Sequence, residues 1–166
     1  MRKRSKDAKD WRATPEKMDE RINRLRTAQD CEIFSRNVTA LGFPELASRA
    51  ERRAVELQAA THEVKDETER AAFEAVYAYE LALRKHTGNK KSRATGIWNM
   101  VRRHGIVETI QRSVNADPDL GRYTTLKAIG MQDLAFESVV VNHQDEFAAS
   151  TVEKASARLA EWVSPE

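Results

Sequence analysis

The sequence of 166 residues contains little cysteine, proline or glycine. Cys31 is the only cysteine, which excludes a disulfide within the chain and favours a reducing compartment. No apolar run approaches the ~20 residues that a membrane span needs, and the basic N-terminus lacks the apolar segment of a signal peptide. We therefore expect a cytoplasmic protein that has no membrane partner.

The sequence also lacks the patterns of common catalytic and metal sites. No Gly-rich phosphate loop, nucleophile elbow or kinase signature occurs, so no cofactor is expected. The histidines show neither His-x-x-x-His nor cysteine-paired spacing, so no metal site is expected; they are His62, His86, His104 and His143. We assign no catalytic residue and do not expect an enzyme. A small hydrolase or nuclease that uses Glu74, Glu80 or His104 is the third hypothesis for function.

Hydrophobic residues make up 40% of the chain and recur at helical spacing between glycines and prolines. This pattern predicts an all-α fold, a compact bundle of seven or eight helices joined by Gly-capped turns. Residues 1–13 are basic and have no apolar periodicity, which is typical of a flexible N-terminal arm. The remaining residues, 14–166, are expected to form one domain.

The segment Glu67–Lys85 is predicted to be the central helix. Asp66 and Glu69 form an Asp-x-x-Glu start signal, and Gly88 follows the end. Two apolar stripes run along it, so it needs neighbours on several sides; they are Ala72, Val76, Tyr79 and Leu83, and Phe73, Tyr77 and Leu81.

Two octapeptides, 40–47 and 128–135, share the pattern A-[LI]-G-[FM]-x-[ED]-L-A. In both, a helix would stop at a glycine and a new helix would follow it. Two copies of eight residues favour two unrelated Gly-capped turns, and a duplicated helical hairpin is the alternative.

The most unusual feature of the sequence is a basic stretch, residues 84–104. No Asp or Glu occurs between Glu80 and Glu108, although a third of the chain is charged and its formal net charge is only +2. The stretch carries seven cations: Arg84, Lys85, Lys90, Lys91, Arg93, Arg102 and Arg103. A surface of one sign attracts polyanions. The first hypothesis is therefore a protein that binds nucleic acid, with DNA preferred, mainly through the phosphate backbone.

A helix over about Arg93–His104 would place Thr95, Asn99, Arg102 and Arg103 on its polar face. These side-chain types suit phosphate and base-edge contacts. The boundary residue Trp98 would either stack on a base or fill the edge of the core. A glycine turn then leads to a helix whose outer face offers Thr109, Arg112 and Ser113. The segment from Ser92 to Asn115 resembles helix-turn-helix proteins in outline, although here the first helix is the more basic one.

A less specific interpretation of the basic stretch remains open. Arg102 and Arg103 could serve only to complement the dipole of a helix end, with the lysines in a solvated loop. The second hypothesis is then a helical protein-interaction module, or a homodimer. In a homodimer, the acidic residues of segment 132–166 would dock on the basic stretch of another copy.

Overall fold

The computed structural model describes residues 15–163, and all regular secondary structure in that range is helical. The all-α prediction is confirmed. Nine α-helices occur in the described range, one more than the upper number expected. They are α1 Pro15–Arg24, α2 Ala28–Ala40, α3 Pro44–Ala59, α4 Glu67–Thr87, α5 Thr95–His104, α6 Ile106–Asn115, α7 Leu120–Ala128, α8 Phe136–Asn142 and α9 Ala149–Val163. Short 3-10 turns at Gln132–Leu134 and Gln144–Glu146 flank α8. The predicted arm, residues 1–13, lies outside the described residues.

The described chain divides into two compact units, residues 15–58 and residues 59–163. The single domain expected over residues 14–166 stays a prediction. None of the helices in the described range combines the length and the hydropathy needed to cross a membrane.

The first unit is organised around α2 and α3. The hydroxyl of Thr27 accepts a 3.0 Å hydrogen bond from the backbone N–H of Asp30. This hydrogen bond caps α2, which begins at Ala28. Cys31, Val38 and Val55 are buried in this unit.

The second unit is built around α4, as the sequence predicts. The carboxylate of Asp66 accepts a 3.0 Å hydrogen bond from the N–H of Glu69 and so caps the helix start. The helix buries residues on several sides and packs against α6, α7 and α8. Its hydrophobic core includes Phe73, Val76, Ile110, Val114, Phe136 and Val140.

A buried ion pair joins the last helix to this core. The guanidinium of Arg158 donates to the carbonyl oxygens of Val114 at 2.5 Å and Ala116 at 2.8 Å, at the end of α6. It also lies 3.4 Å from the carboxylate of Glu137, which is 5% exposed. Glu137 is one of the acids expected to be available to a basic partner, and its burial removes it from that set.

The start of α9 is held by another helix. Ser150 and Glu153 match the sequence pattern of a capping box, but the helix begins at Ala149. The backbone N–H of Ala148 instead donates a 2.9 Å hydrogen bond to the side chain of Gln111 on α6. A contact distant in sequence thus replaces the local cap.

The two octapeptides adopt the same turn. Gly42 and Gly130 have positive φ angles of 86° and 72°. In each turn, the residue after the glycine donates to the carbonyl five residues earlier: Phe43 to Val38 at 2.9 Å, and Met131 to Leu126 at 3.0 Å. The structures diverge afterwards, because an α-helix follows Gly42 and a 3-10 turn follows Met131. The shared turn fits both interpretations of the repeat.

Candidate nucleic-acid interface

The basic stretch covers the last turn of α4, a connecting loop and the whole of α5. All of its cations are exposed except Arg84, which is half-buried. Within the described residues, the side chains of Arg84, Lys90, Lys91 and Arg103 make no ion pair or hydrogen bond. The local positive charge is therefore only partly neutralised by the protein itself.

Internal hydrogen bonds hold the loop in place. The hydroxyl of Thr87 lies 3.1 Å from that of Ser92, and the side chain of Asn89 accepts from the N–H of Lys91 at 2.9 Å. The N–H of Ser92 donates to the carbonyl of Asn89 at 3.1 Å. The hydroxyl of Ser92 is thus used inside the loop and does not cap α5. These bonds fix the backbone from which Lys90 and Lys91 project.

Glu80 on α4 supplies the cap that α5 lacks locally. Its Oε1 accepts from the backbone N–H of Ala94 at 3.0 Å and from the indole N–H of Trp98 at 2.6 Å. The guanidinium of Arg93 lies 3.6 Å from the same oxygen. Glu80 is 2% exposed, so its charge is compensated by these three donors and not by water. One buried carboxylate thus fixes the start of the basic helix.

Trp98 belongs to an aromatic cluster, which here means His62, Phe73, Tyr77 and Trp98. The ring of His62 stacks on Phe73 with centroids 4.1 Å apart, and its Nε2 lies 2.7 Å from the hydroxyl of Tyr77. Trp98 lies 5.1 Å from Tyr77 and 5.8 Å from His62. The half-buried Trp98 therefore packs against the edge of the core, and its stacking on a base stays a prediction.

Burial shifts two pKa values in this cluster. Desolvation lowers the pKa of His62 below its ordinary value, because the charged imidazolium loses water. Desolvation also raises the pKa of Tyr77, and the nearby negative charge of Glu80 adds to that effect. Both side chains are thus favoured in their neutral forms, as a packed support for α5 requires.

The outward face of α5 is polar and open. Thr95, Asn99, Arg102 and Arg103 are all exposed, as the sequence predicts. The guanidinium of Arg102 donates a 2.7 Å hydrogen bond to the side chain of Asn99. His104, in the last turn of the helix, is also exposed. This exposed face and the loop lysines form the basic surface, defined by Lys90, Lys91, Thr95, Asn99, Arg102 and Arg103.

The following helix adds little to the basic surface. Thr109 was expected on its outer face, but it is fully buried and its hydroxyl donates to the carbonyl of Gly105 at 2.7 Å. Arg112 is exposed, and its guanidinium lies 3.1 Å from the carboxylate of Glu108. A single residue, Gly105, separates the two helices, whereas helix-turn-helix motifs use turns of three or four residues. The geometry therefore departs from that motif.

Carboxylates and histidines do not converge on an open site in the part of the chain that the structure describes. Residues 15–163 contain no group of three or more His, Cys, Asp or Glu side chains able to hold a metal ion. Two of the histidines are engaged with hydroxyls, His62 with Tyr77 and His143 with Thr68 at 3.2 Å. Glu80, a candidate acid for a hydrolase, is enclosed as a helix cap.

Comparisons of the chain with protein-family models, with curated proteins and with solved structures gave no match.

Proposed function

We propose that this protein binds nucleic acid through the basic surface, with most contacts made to phosphates. DNA is the first expectation. The observation that carries the proposal is the exposure of Lys90, Lys91, Arg102 and Arg103 on a segment that contains no acid. Arginine and lysine contribute the electrostatic affinity for phosphate, and release of condensed counterions supplies the free energy.

The rigid support beneath these side chains favours the proposal. A mobile basic segment attracts any polyanion weakly, whereas cations on a fixed helix can match a regular spacing of phosphates. Glu80 and the aromatic cluster fix the position of α5 from the side that faces the core. The loop is fixed by its own hydrogen bonds. Thr95 and Asn99 lie between the cations and can donate hydrogen bonds to phosphate or sugar oxygens.

Two predicted site residues have a smaller part in this proposal. Trp98 supports α5, since its indole N–H is bonded to Glu80 and its ring lies within the aromatic cluster. Arg112 is paired with Glu108, so a phosphate would have to compete with that carboxylate. Arg84, Lys85 and Arg93 remain contributors to the local positive potential.

Fluorescence anisotropy with labelled duplex and single-stranded oligonucleotides, measured at several salt concentrations, tests the proposal. Four phosphate contacts to duplex DNA predict a slope of log K against log salt of about −3 to −4. The double variant Arg102→Glu/Arg103→Glu should weaken binding to every sequence alike.

The matched control for this variant is Arg70→Glu/Lys154→Glu, which changes net charge equally. Both residues are exposed; Arg70 lies in the first turn of α4, about 20 Å along the helix axis from Arg84. This control should bind nearly as the wild type does. Absence of binding at low salt, or equal loss in both double variants, would refute a localised interface.

A homodimer is the second candidate function, favoured by the exposed acids of the last helices. Asp145, Glu146, Glu153 and Glu161 are all exposed, and none is ion-paired within the described residues. They could dock on the basic surface of a second copy. Light scattering after size exclusion at low and high salt tests this, because a charge-complementary dimer should dissociate as salt rises.

A further inference from the structure

A groove of about 750 Å³ lies beside the start of the basic stretch, and the proposed function does not use it. One wall comes from the end of α4 and carries Tyr79, Leu83, Lys85 and His86. The other comes from α7 and its flanking residues, including Leu120. The volume falls in the range of small-molecule sites, roughly 300–1,000 Å³.

The walls of the groove combine apolar surface with a positive edge. Leu120 is 52% exposed and contributes apolar surface to the wall. The guanidinium of Arg122 covers the ring of Tyr79, 5.1 Å from its centroid, and lies 3.5 Å from the carboxylate of Asp119. An apolar cleft with Lys85 and His86 at one end favours a flat apolar group linked to an anion.

The groove is also close to the basic surface along the chain. Lys85 and His86 line the groove, and Lys90 follows four residues later. Four residues span at most ~14 Å, which is the length of a few nucleotides. A strand whose phosphates contact Lys90 and Lys91 could therefore extend to the groove.

We propose that the groove accepts an unstacked nucleobase of a bound single strand, with its phosphate near Lys85 and His86. This inference rests on the proposed function and makes it more specific, because bases in an intact duplex are paired and stacked and cannot enter. The protein should therefore prefer single strands to duplexes of the same length. Burial of one base against the apolar wall predicts a preference of roughly 5- to 10-fold.

The experiment measures anisotropy at one salt concentration for a labelled single strand, its duplex and an abasic strand of equal length. The wild type should bind the single strand best. Ala128→Trp should remove that preference without changing duplex affinity, because Ala128 is exposed and lines the groove. Ala157→Trp makes the same change at an exposed position of α9 that does not line the groove, and should retain the preference.

Equal affinity for single strand and duplex, or normal single-strand binding by Ala128→Trp, would overturn the inference. Either result would leave the proposed function intact if duplex binding remained salt-dependent. Normal single-strand binding by Ala128→Trp is the result expected if the groove instead binds a helix of a partner protein. The abasic strand tests the inference with wild-type protein alone. Equal affinity of the wild type for the abasic strand and the normal strand would also overturn the inference. Failure of all three oligonucleotides to bind would instead remove the proposed function itself.

Discussion

The indole N–H of Trp98 donates a 2.6 Å hydrogen bond to the carboxylate of Glu80, which is 2% exposed. The two residues lie on consecutive helices, and the same oxygen also accepts from the backbone of Ala94. This hydrogen bond therefore connects the central helix α4 to the basic helix α5. Because the basic surface depends on the position of α5, loss of the bond should change both the free energy of unfolding and the affinity for nucleic acid.

Glu80→Ala should destabilise the protein by about 3 kcal/mol or more, because two buried N–H donors lose their acceptor at roughly 1–3 kcal/mol each. Glu80→Gln keeps one acceptor oxygen and should cost less. Urea denaturation followed by circular dichroism measures both. Glu153→Ala, an exposed glutamate on α9, should stay within about 0.5 kcal/mol of the wild type. A similarly small effect of Glu80→Ala would show that the cap contributes little.

Protonation of His62 should destabilise the fold. Its folded pKa is lowered by burial, so the unfolded chain binds more protons near the ordinary value of about 6.5. The stabilisation from neutral His62 is therefore complete above that pH, and it is lost as pH falls from there through the lower folded pKa.

The comparison with His62→Gln isolates this contribution, since the other three histidines are present in both proteins. Between pH 7.5 and 5, the free energy of unfolding of the wild type should fall more steeply than that of the variant. Urea midpoints at each pH give the two curves. Parallel curves would mean that His62 titrates alike in the folded and unfolded chains.

The contribution of the loop lysines should appear in the salt dependence of binding. Lys90→Gln/Lys91→Gln removes two phosphate contacts and should reduce the magnitude of the slope of log K against log salt by roughly 2. Arg70→Gln/Lys154→Gln removes the same charge elsewhere and should leave the slope near its wild-type value. Equal slopes for both double variants would exclude direct contact by Lys90 and Lys91. Anisotropy titrations at four or five salt concentrations are sufficient.

Local signals in the sequence predicted much of the fold. The start of α4 follows from the Asp66–Glu69 pair, whose hydrogen bond is formed within one turn. Its central position follows from apolar residues on several sides. The exposed face of α5 also follows from helical spacing, because Thr95, Asn99, Arg102 and Arg103 share one side.

The support beneath the site could not be predicted in this way. The donors to Glu80 come from Ala94 and Trp98, 14 and 18 residues later in the chain, so no local pattern identifies them. Thr109 was placed outward because threonine is polar, yet its hydroxyl is satisfied by the carbonyl of Gly105 and can be buried. In both cases, tertiary packing decides a position that helical periodicity leaves open.

The junction between α5 and α6 gives a final test, through two glycines that lie nine residues apart. Gly105 has φ 83° and ψ 166°, a backbone region that is essentially restricted to glycine. Gly105→Ala should therefore destabilise the protein by about 1–3 kcal/mol. The cost would be backbone strain and not a steric clash, because an added Cβ would meet no atom within 4 Å.

Gly96 lies within α5 with equally open space around it. Gly96→Ala should stabilise the protein by roughly 0.5–1 kcal/mol, because alanine loses less conformational entropy in a helix. Opposite shifts in urea midpoint are thus expected from the same added methyl group. Shifts of the same sign would mean that Gly105 can relax into an ordinary conformation and does not set the direction in which α6 leaves the basic helix.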